Sequence, residues 1–137
     1  MADAVSTVVM SDTGLRYDVI LTNVCDGTGE TLVKKIDLTD ISSINDPDIH
    51  PKSLALEKVE ASVNGFDSVS LFWDRDPSNL TMVVLPQGNT EMCLHQYLND
   101  PKHGQTGTGD ILLTTNAAGG LSAQESYTIH LRFKCKY

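Results

Sequence analysis

Tyr127-Thr-Ile-His-Leu-Arg-Phe-Lys-Cys-Lys-Tyr137 decides the fold, because its odd positions are apolar or aromatic and its even positions are Thr128, His130, Arg132, Lys134 and Lys136. Side chains of a strand alternate between two faces, so this stretch reads as a half-buried β-strand with a basic outer edge. A helix, repeating every ~3.6 residues, would scatter the same apolar set around its cylinder. The stretch also gathers charge that the rest of the chain lacks. The chain carries 10 Lys+Arg against 18 Asp+Glu, a formal charge of −8. Residues 125–137 carry +2 of this and the remainder −10. His130, Arg132, Lys134 and Lys136 are therefore the candidate partner-contact residues. The plainer reading of the same four is a solvated strand edge, or pairing with neighbouring acidic strands.

At 137 residues the chain fits a single domain over residues 1–137, long enough to build a core without staples. Its acidity argues against nucleic acid and anionic membrane as partners, since both need a basic footprint. Few aromatics, 6% of residues, also disfavour a platform for stacking bases. Cys25, Cys93 and Cys135 are far apart and form no C-x-x-C pair, which suits free thiols in a reducing compartment; one bridge plus one free thiol is the alternative. The segment Met1-Ala-Asp-Ala-Val-Ser-Thr-Val-Val-Met10 has an early acid, no basic region and too short an apolar run for a signal peptide. No stretch approaches a membrane span, so a protein made in the cytoplasm is expected. The Asn79-Leu80-Thr81 sequon is then a chance match.

Working back from the terminal strand, short strand-like segments alternate with turn clusters. Val5 to Met10 is apolar and β-branched, and Ser11-Asp-Thr-Gly14 breaks it. Leu15, Tyr17, Val19 and Leu21 alternate with polar residues up to Cys25-Asp-Gly-Thr-Gly29, and Thr31 to Leu38 follows as a third strand with Leu32, Ile36 and Leu38 on one face. Asp40 to Pro51 is a polar loop in which Pro47 and Pro51 limit any helix. Leu54 to Val63 fits a helical face or a strand, and the Asn64-Gly65 pair favours a strand ending in a hairpin turn. Val69, Leu71 and Trp73 then share one face, with Phe66 and Phe72 on the other. Leu80 to Leu85 is a further strand ended by Pro86-Gln-Gly88; Glu91 to Leu98 is either strand or a turn or two of helix. A loop from Asn99 to Gly109 leads into Ile111-Leu-Leu-Thr-Thr115, and Asn116-Ala-Ala-Gly-Gly120 is the last connection. Seven to nine short strands predict an all-β, single-domain antiparallel β-sandwich, jelly-roll-like. Gly27-Thr-Gly-Glu30 and Gly107-Thr-Gly-Asp110 echo each other and read as turns whose acids cap nearby amides.

Local chemistry gives no catalytic residues. Asp74-Arg75-Asp76 resembles a metal-holding D-x-D, but as a calcium loop it fails where Asn79 replaces the glycine and Leu85 the bidentate glutamate. It reads as an acidic turn before Pro77. His50, His95, His103 and His130 lack zinc spacing, with His103 and His130 read as solvated, so no metal or other cofactor is expected. There is no G-x-S-x-G elbow, and the Gly107 loop lacks the G-K-[ST] ending of a phosphate cradle. A nucleophile and base could still meet in three dimensions. The balance is against an enzyme.

Four segments in order carry a resemblance: Tyr17-Asp-Val-Ile-Leu-Thr-Asn-Val-Cys-Asp-Gly-Thr-Gly-Glu30, Val63-Asn-Gly-Phe-Asp-Ser-Val-Ser-Leu-Phe-Trp-Asp74, Asp100-Pro-Lys-His-Gly-Gln-Thr-Gly-Thr-Gly-Asp-Ile-Leu-Leu-Thr-Thr115 and Ser126-Tyr-Thr-Ile-His-Leu131. Together they resemble a family of small structural proteins of tailed bacteriophages, over most of the chain from about Val8 to Phe133. The resemblance implies a virion protein without catalytic residues, most simply a capsid decoration or cement protein on the outer capsid surface. Its implied partners are the major capsid protein and further copies of itself, as a homo-oligomer (dimer or trimer). Cys25 stands where a small polar residue is expected, and Pro86 to Leu98 has no counterpart in the pattern. Two other roles stay open: a carbohydrate-binding sandwich of a virion appendage, which exposed Tyr, Trp or His at a loop end would support, and a tail or connector component.

Overall fold

The computed structural model describes residues 4–25, 27–117 and 125–137, and of these nearly all the ordered elements are strands. They are β1 (Ala4–Asp12), β2 (Arg16–Val24), β3 (Val33–Ile36), β4 (Ser53–Trp73), β5 (Leu80–Leu98), β6 (Ile111–Asn116) and β7 (Ser126–Lys136), with one 3-10 turn at Leu38–Asp40. All pairings are antiparallel, in the order β1-β2-β7-β4-β6-β3, with β5 also paired to β4. The all-β antiparallel fold is thus as the alternation predicts, curled until it is nearly closed like a barrel. The Asn116 to Gly120 connection lies largely outside the described residues.

β4, at 21 residues, organises the sheet. One of its edges carries β7 opposite Ser53 to Asn64 and then β6 opposite Ser68 to Trp73. Its other edge carries β5 on both sides of the middle. The sheet therefore has two leaves, β1-β2-β7 with the first half of β4 and β3-β6 with the second, joined by the long β4–β5 hairpin. Trp73 and Leu54, near opposite ends of β4, meet across the core, where Trp73 Nε1 donates to the Leu54 carbonyl at 2.9 Å.

Two irregularities let one strand face a single core along its length. The register shifts between Leu56 and Lys58, so that Leu54 and Leu56 before the bulge and Val59, Ala61 and Val63 after it are all buried. A second shift between Val63 and Ser68 bends the strand. Here the expected Asn64-Gly65 hairpin is absent: the chain passes through Gly65 at φ +84° and continues as the same strand. A Cβ at Gly65 would lie 2.7 Å from Glu125 Cγ, so both conformation and space call for glycine. The bend also turns Phe66 inward, fully buried with Val69, Leu71 and Trp73 instead of on the opposite face. β5 likewise runs through Pro86-Gln-Gly88, because it follows the bent β4 without breaking. Leu32, expected inward, is exposed at φ +48°, and the strand after it starts at Val33.

Buried polar groups tie the loops to this frame. Arg75, from the Asp74-Arg75-Asp76 turn, is among the largest fully buried side chains. Its Nε donates to Asp100 Oδ2 at 2.8 Å, and its Nη atoms donate to the carbonyls of Lys52 at 3.0 Å and Gly107 at 3.1 Å. The turn is thus a structural clamp on the Asn99 to Gly109 loop. Both Gly-Thr-Gly-acid echoes also end in buried carboxylates. Asp110 Oδ1 accepts from the Leu38 amide at 2.9 Å, as the capping expectation has it. Glu30 instead gathers side chains: Oε1 accepts from Asn23 Nδ2 at 2.8 Å and from Tyr127 Oη at 2.6 Å, and Oε2 pairs with Lys35. Replacing Arg75 by Leu strands the Asp100 carboxylate in the interior. That costs about 3–5 kcal/mol in urea unfolding, and adding Asp100→Leu recovers part of the loss because no unpaired charge remains.

Candidate partner-docking surface

The candidate contact residues His130, Arg132, Lys134 and Lys136 do share the outer face of β7, each half-buried. The edge expected there is not an edge: β7 lies between β2 and β4, paired on both sides. The apolar alternation is satisfied from Tyr127 to Cys135, with Tyr127, Ile129, Leu131, Phe133 and Cys135 buried, whereas Tyr137 at its end is exposed. The basic face is held by its neighbours. Arg132 Nε lies 3.0 Å from Asp18 Oδ1 on β2, and Arg16 Nε lies 2.8 Å from Glu57 Oε2 at the β4 bulge. Lys58 and Glu60 pair at 2.7 Å, and that hydrogen bond, with the ammonium charge, lowers the Glu60 pKa.

The feature that residue spacing does not reveal is Tyr97. It lies near the end of β5, within the segment that reads equally as strand or helix, and its ring covers one end of the stripe. Lys134 Nζ lies 4.8 Å from the ring centroid, Lys136 Nζ 5.7 Å and the Arg16 guanidinium carbon 5.6 Å, with Arg16 Nη2 donating to Tyr97 Oη at 3.0 Å. Three cations surround one aromatic ring, and Glu57 pairs with one of them. A negative ring face attracts cations without neutralising them, so the cluster keeps its positive field while losing freedom.

At the other end of the stripe, His130 lines a shallow cleft of about 390 Å³ with Ile20, Glu60, Asn89, Thr90 and Thr128. It is opposite Glu60 in register, and its Nε2 is enclosed without a hydrogen-bond partner among the described residues. His130 is thus not the solvated side chain expected. His103 is exposed, as expected, and its Nδ1 lies 2.5 Å from Ser53 Oγ. The His95 side chain lies outside the described residues. Among the described residues, no group of three or more His, Cys, Asp or Glu is placed to hold a metal ion. Among the described residues no helix is long and apolar enough to cross a membrane.

Behind the stripe, burial pushes the Cys135 thiol up from 9.0 to about 11, helped by the negative charge of Asp12. Tyr17 and Tyr137 are raised by the same two influences among others, burial foremost. Each of these groups binds its proton more tightly folded than unfolded. Their contribution to stability is whole below the unfolded pKa and lost as pH rises through the folded one. Unfolding free energy therefore falls between pH 9.0 and about 11, and denaturant titrations across that window show a shallower fall for Cys135→Ala than for the parent chain.

Compared with protein-family models, curated proteins and solved structures, the chain matches none of them.

Proposed function

We propose that the chain is a bacteriophage virion structural protein, a capsid decoration or cement protein that binds the major capsid protein lattice and stabilises the head. The reading draws on the ordered phage-like segments. The observation that carries it is the stripe of Arg132, Lys134 and Lys136, joined by Arg16 and Tyr97, on a molecule whose formal charge is −8. A basic face on an acidic body orients the molecule toward an acidic surface and repels its other sides. Packaged DNA exerts outward pressure, and a protein that binds only the assembled lattice stabilises it by its binding free energy. Repetition over a shell makes modest contacts collectively strong. No cofactor and no catalytic group enters this role.

A second reading, a carbohydrate-binding sandwich of a virion appendage, draws on the polar cleft beside His130, whose Asn89, Glu60 and Thr128 offer hydrogen bonds to hydroxyls. Against it, Trp73 is buried and hydrogen-bonded inside the core, so it gives no stacking surface for a sugar.

The purified protein is expected to bind expanded capsids and raise their thermal tolerance. Replacing Arg132, Lys134 and Lys136 by Gln weakens capsid binding by at least about tenfold at low salt and flattens its salt dependence. The Arg132–Asp18 pair lies on the outer face of the sheet and is worth about 1 kcal/mol, so the variant stays folded by circular dichroism. Unchanged capsid binding by the triple variant would overturn the docking role of the stripe. Binding on a glycan array without capsid binding decides for the second reading, and rings or tubes formed by the purified chain decide for a tail or connector component.

A further inference from the structure

β1 presents a problem that the rest of the sheet does not. It pairs with β2 along one edge only, and its other edge meets no described strand. Every residue from Val5 to Asp12 is exposed, with Val5 at 48%, Val8 at 51%, Val9 at 49% and Met10 at 59%. Apolar side chains thus project from both faces of a strand that contributes nothing to the core. Ala4-Val-Ser-Thr-Val-Val-Met-Ser11 also contains no charge and no proline. Free edges in monomeric proteins are commonly blunted by an inward charge, a lysine or a proline. β1 has only a register shift between Val9 and Ser11, at one end.

We infer that the open edge of β1 is an interface, and that its occupant is the β1 strand of a second copy of this chain, paired antiparallel about a two-fold axis near Thr7 and Val8. Charge selects that occupant. Two copies of formal charge −8 repel each other wherever their acidic surfaces meet, and the basic stripe is the wrong place for a self-complementary contact because it would face another basic stripe. A contact that uses the same patch on both subunits needs a neutral, self-complementary surface. β1 supplies one: antiparallel pairing near Thr7 and Val8 sets Ala4 to Ser11 of the two copies, all uncharged, opposite each other and leaves the acids Asp3 and Asp12 outside that span, at the two ends of the joint. The new ladder satisfies the open row of amides and carbonyls. Val24, directly opposite Ala4 in register and 58% exposed, extends the apolar border onto β2. This interface is independent of the capsid reading, since it uses the free edge of the end strand β1, which β2 separates from β7, and none of the stripe residues.

The test is the mass of the purified chain by sedimentation velocity from low to high micromolar concentration. The parent chain is expected to reach twice the monomer mass, more readily as salt screens the net charge. Val8→Lys and Val8→Glu, each placing like charges near the axis, are expected to be folded monomers by circular dichroism, and an equal mixture of the two recovers the dimer. A parent chain that stays monomeric throughout overturns the inference and leaves the edge to a different polypeptide. A Val8→Lys variant that still dimerises overturns it as well, because the joint then lies elsewhere.

Discussion

A β-strand has two edges along which it can form hydrogen bonds, and β4 uses both for nearly its whole length. With β5 on one edge and β7 followed by β6 on the other, it belongs to both leaves of the sheet at once. That double membership requires the strand to bend without losing its ladder. The bulge after Leu56 and the turn through Gly65 provide the bend, and they reset the alternation so that Val63, Phe66 and Val69 all reach one core. The near-closure of the sheet, the burial of Trp73 and the central position of β7 all follow from it.

Buried charge does a different task. Arg75 and Asp100, with the carbonyls of Lys52 and Gly107, join three segments that lie off the sheet, and Glu30 joins β2 and β7 to the segment before β3. Such groups add little net stability over a well-packed apolar alternative, but a wrong loop arrangement would leave them unpaired at high cost. They therefore specify where the loops go.

The two outward surfaces differ in kind because of where their strands sit. β7 is hydrogen-bonded on both edges, so its basic side chains are spaced by a rigid sheet and steadied by Asp18 and Tyr97. Its interactions are electrostatic and weaken with salt. β1 is bonded on one edge and packs on nothing, so what it offers is backbone pairing and apolar contact, which salt does not weaken. One acidic chain thus presents a charged surface on one strand and an open, uncharged backbone edge on another.

The alternation from Tyr127 to Cys135 was enough to establish a strand, because a two-residue period depends only on local geometry, and the recurrence of such short segments between turn clusters made the chain all-β. It also placed His130, Arg132, Lys134 and Lys136 on one face, since alternation is the same information read from the other side. Glycine at position 65 showed that the chain turns, but whether it turns back as a hairpin or bends onward depends on which strands lie beside it. Phe66 was misplaced for that reason. Tyr97 was invisible as a site residue because it meets Lys134 and Arg16 only after β5 has paired with β4. The exposed state of β1 was equally hidden: Val5 to Met10 looks like core by composition, and only its place at the end of the strand order leaves it uncovered. Local periodicity determines which side chains share a face, whereas contacts between distant strands decide what each face meets.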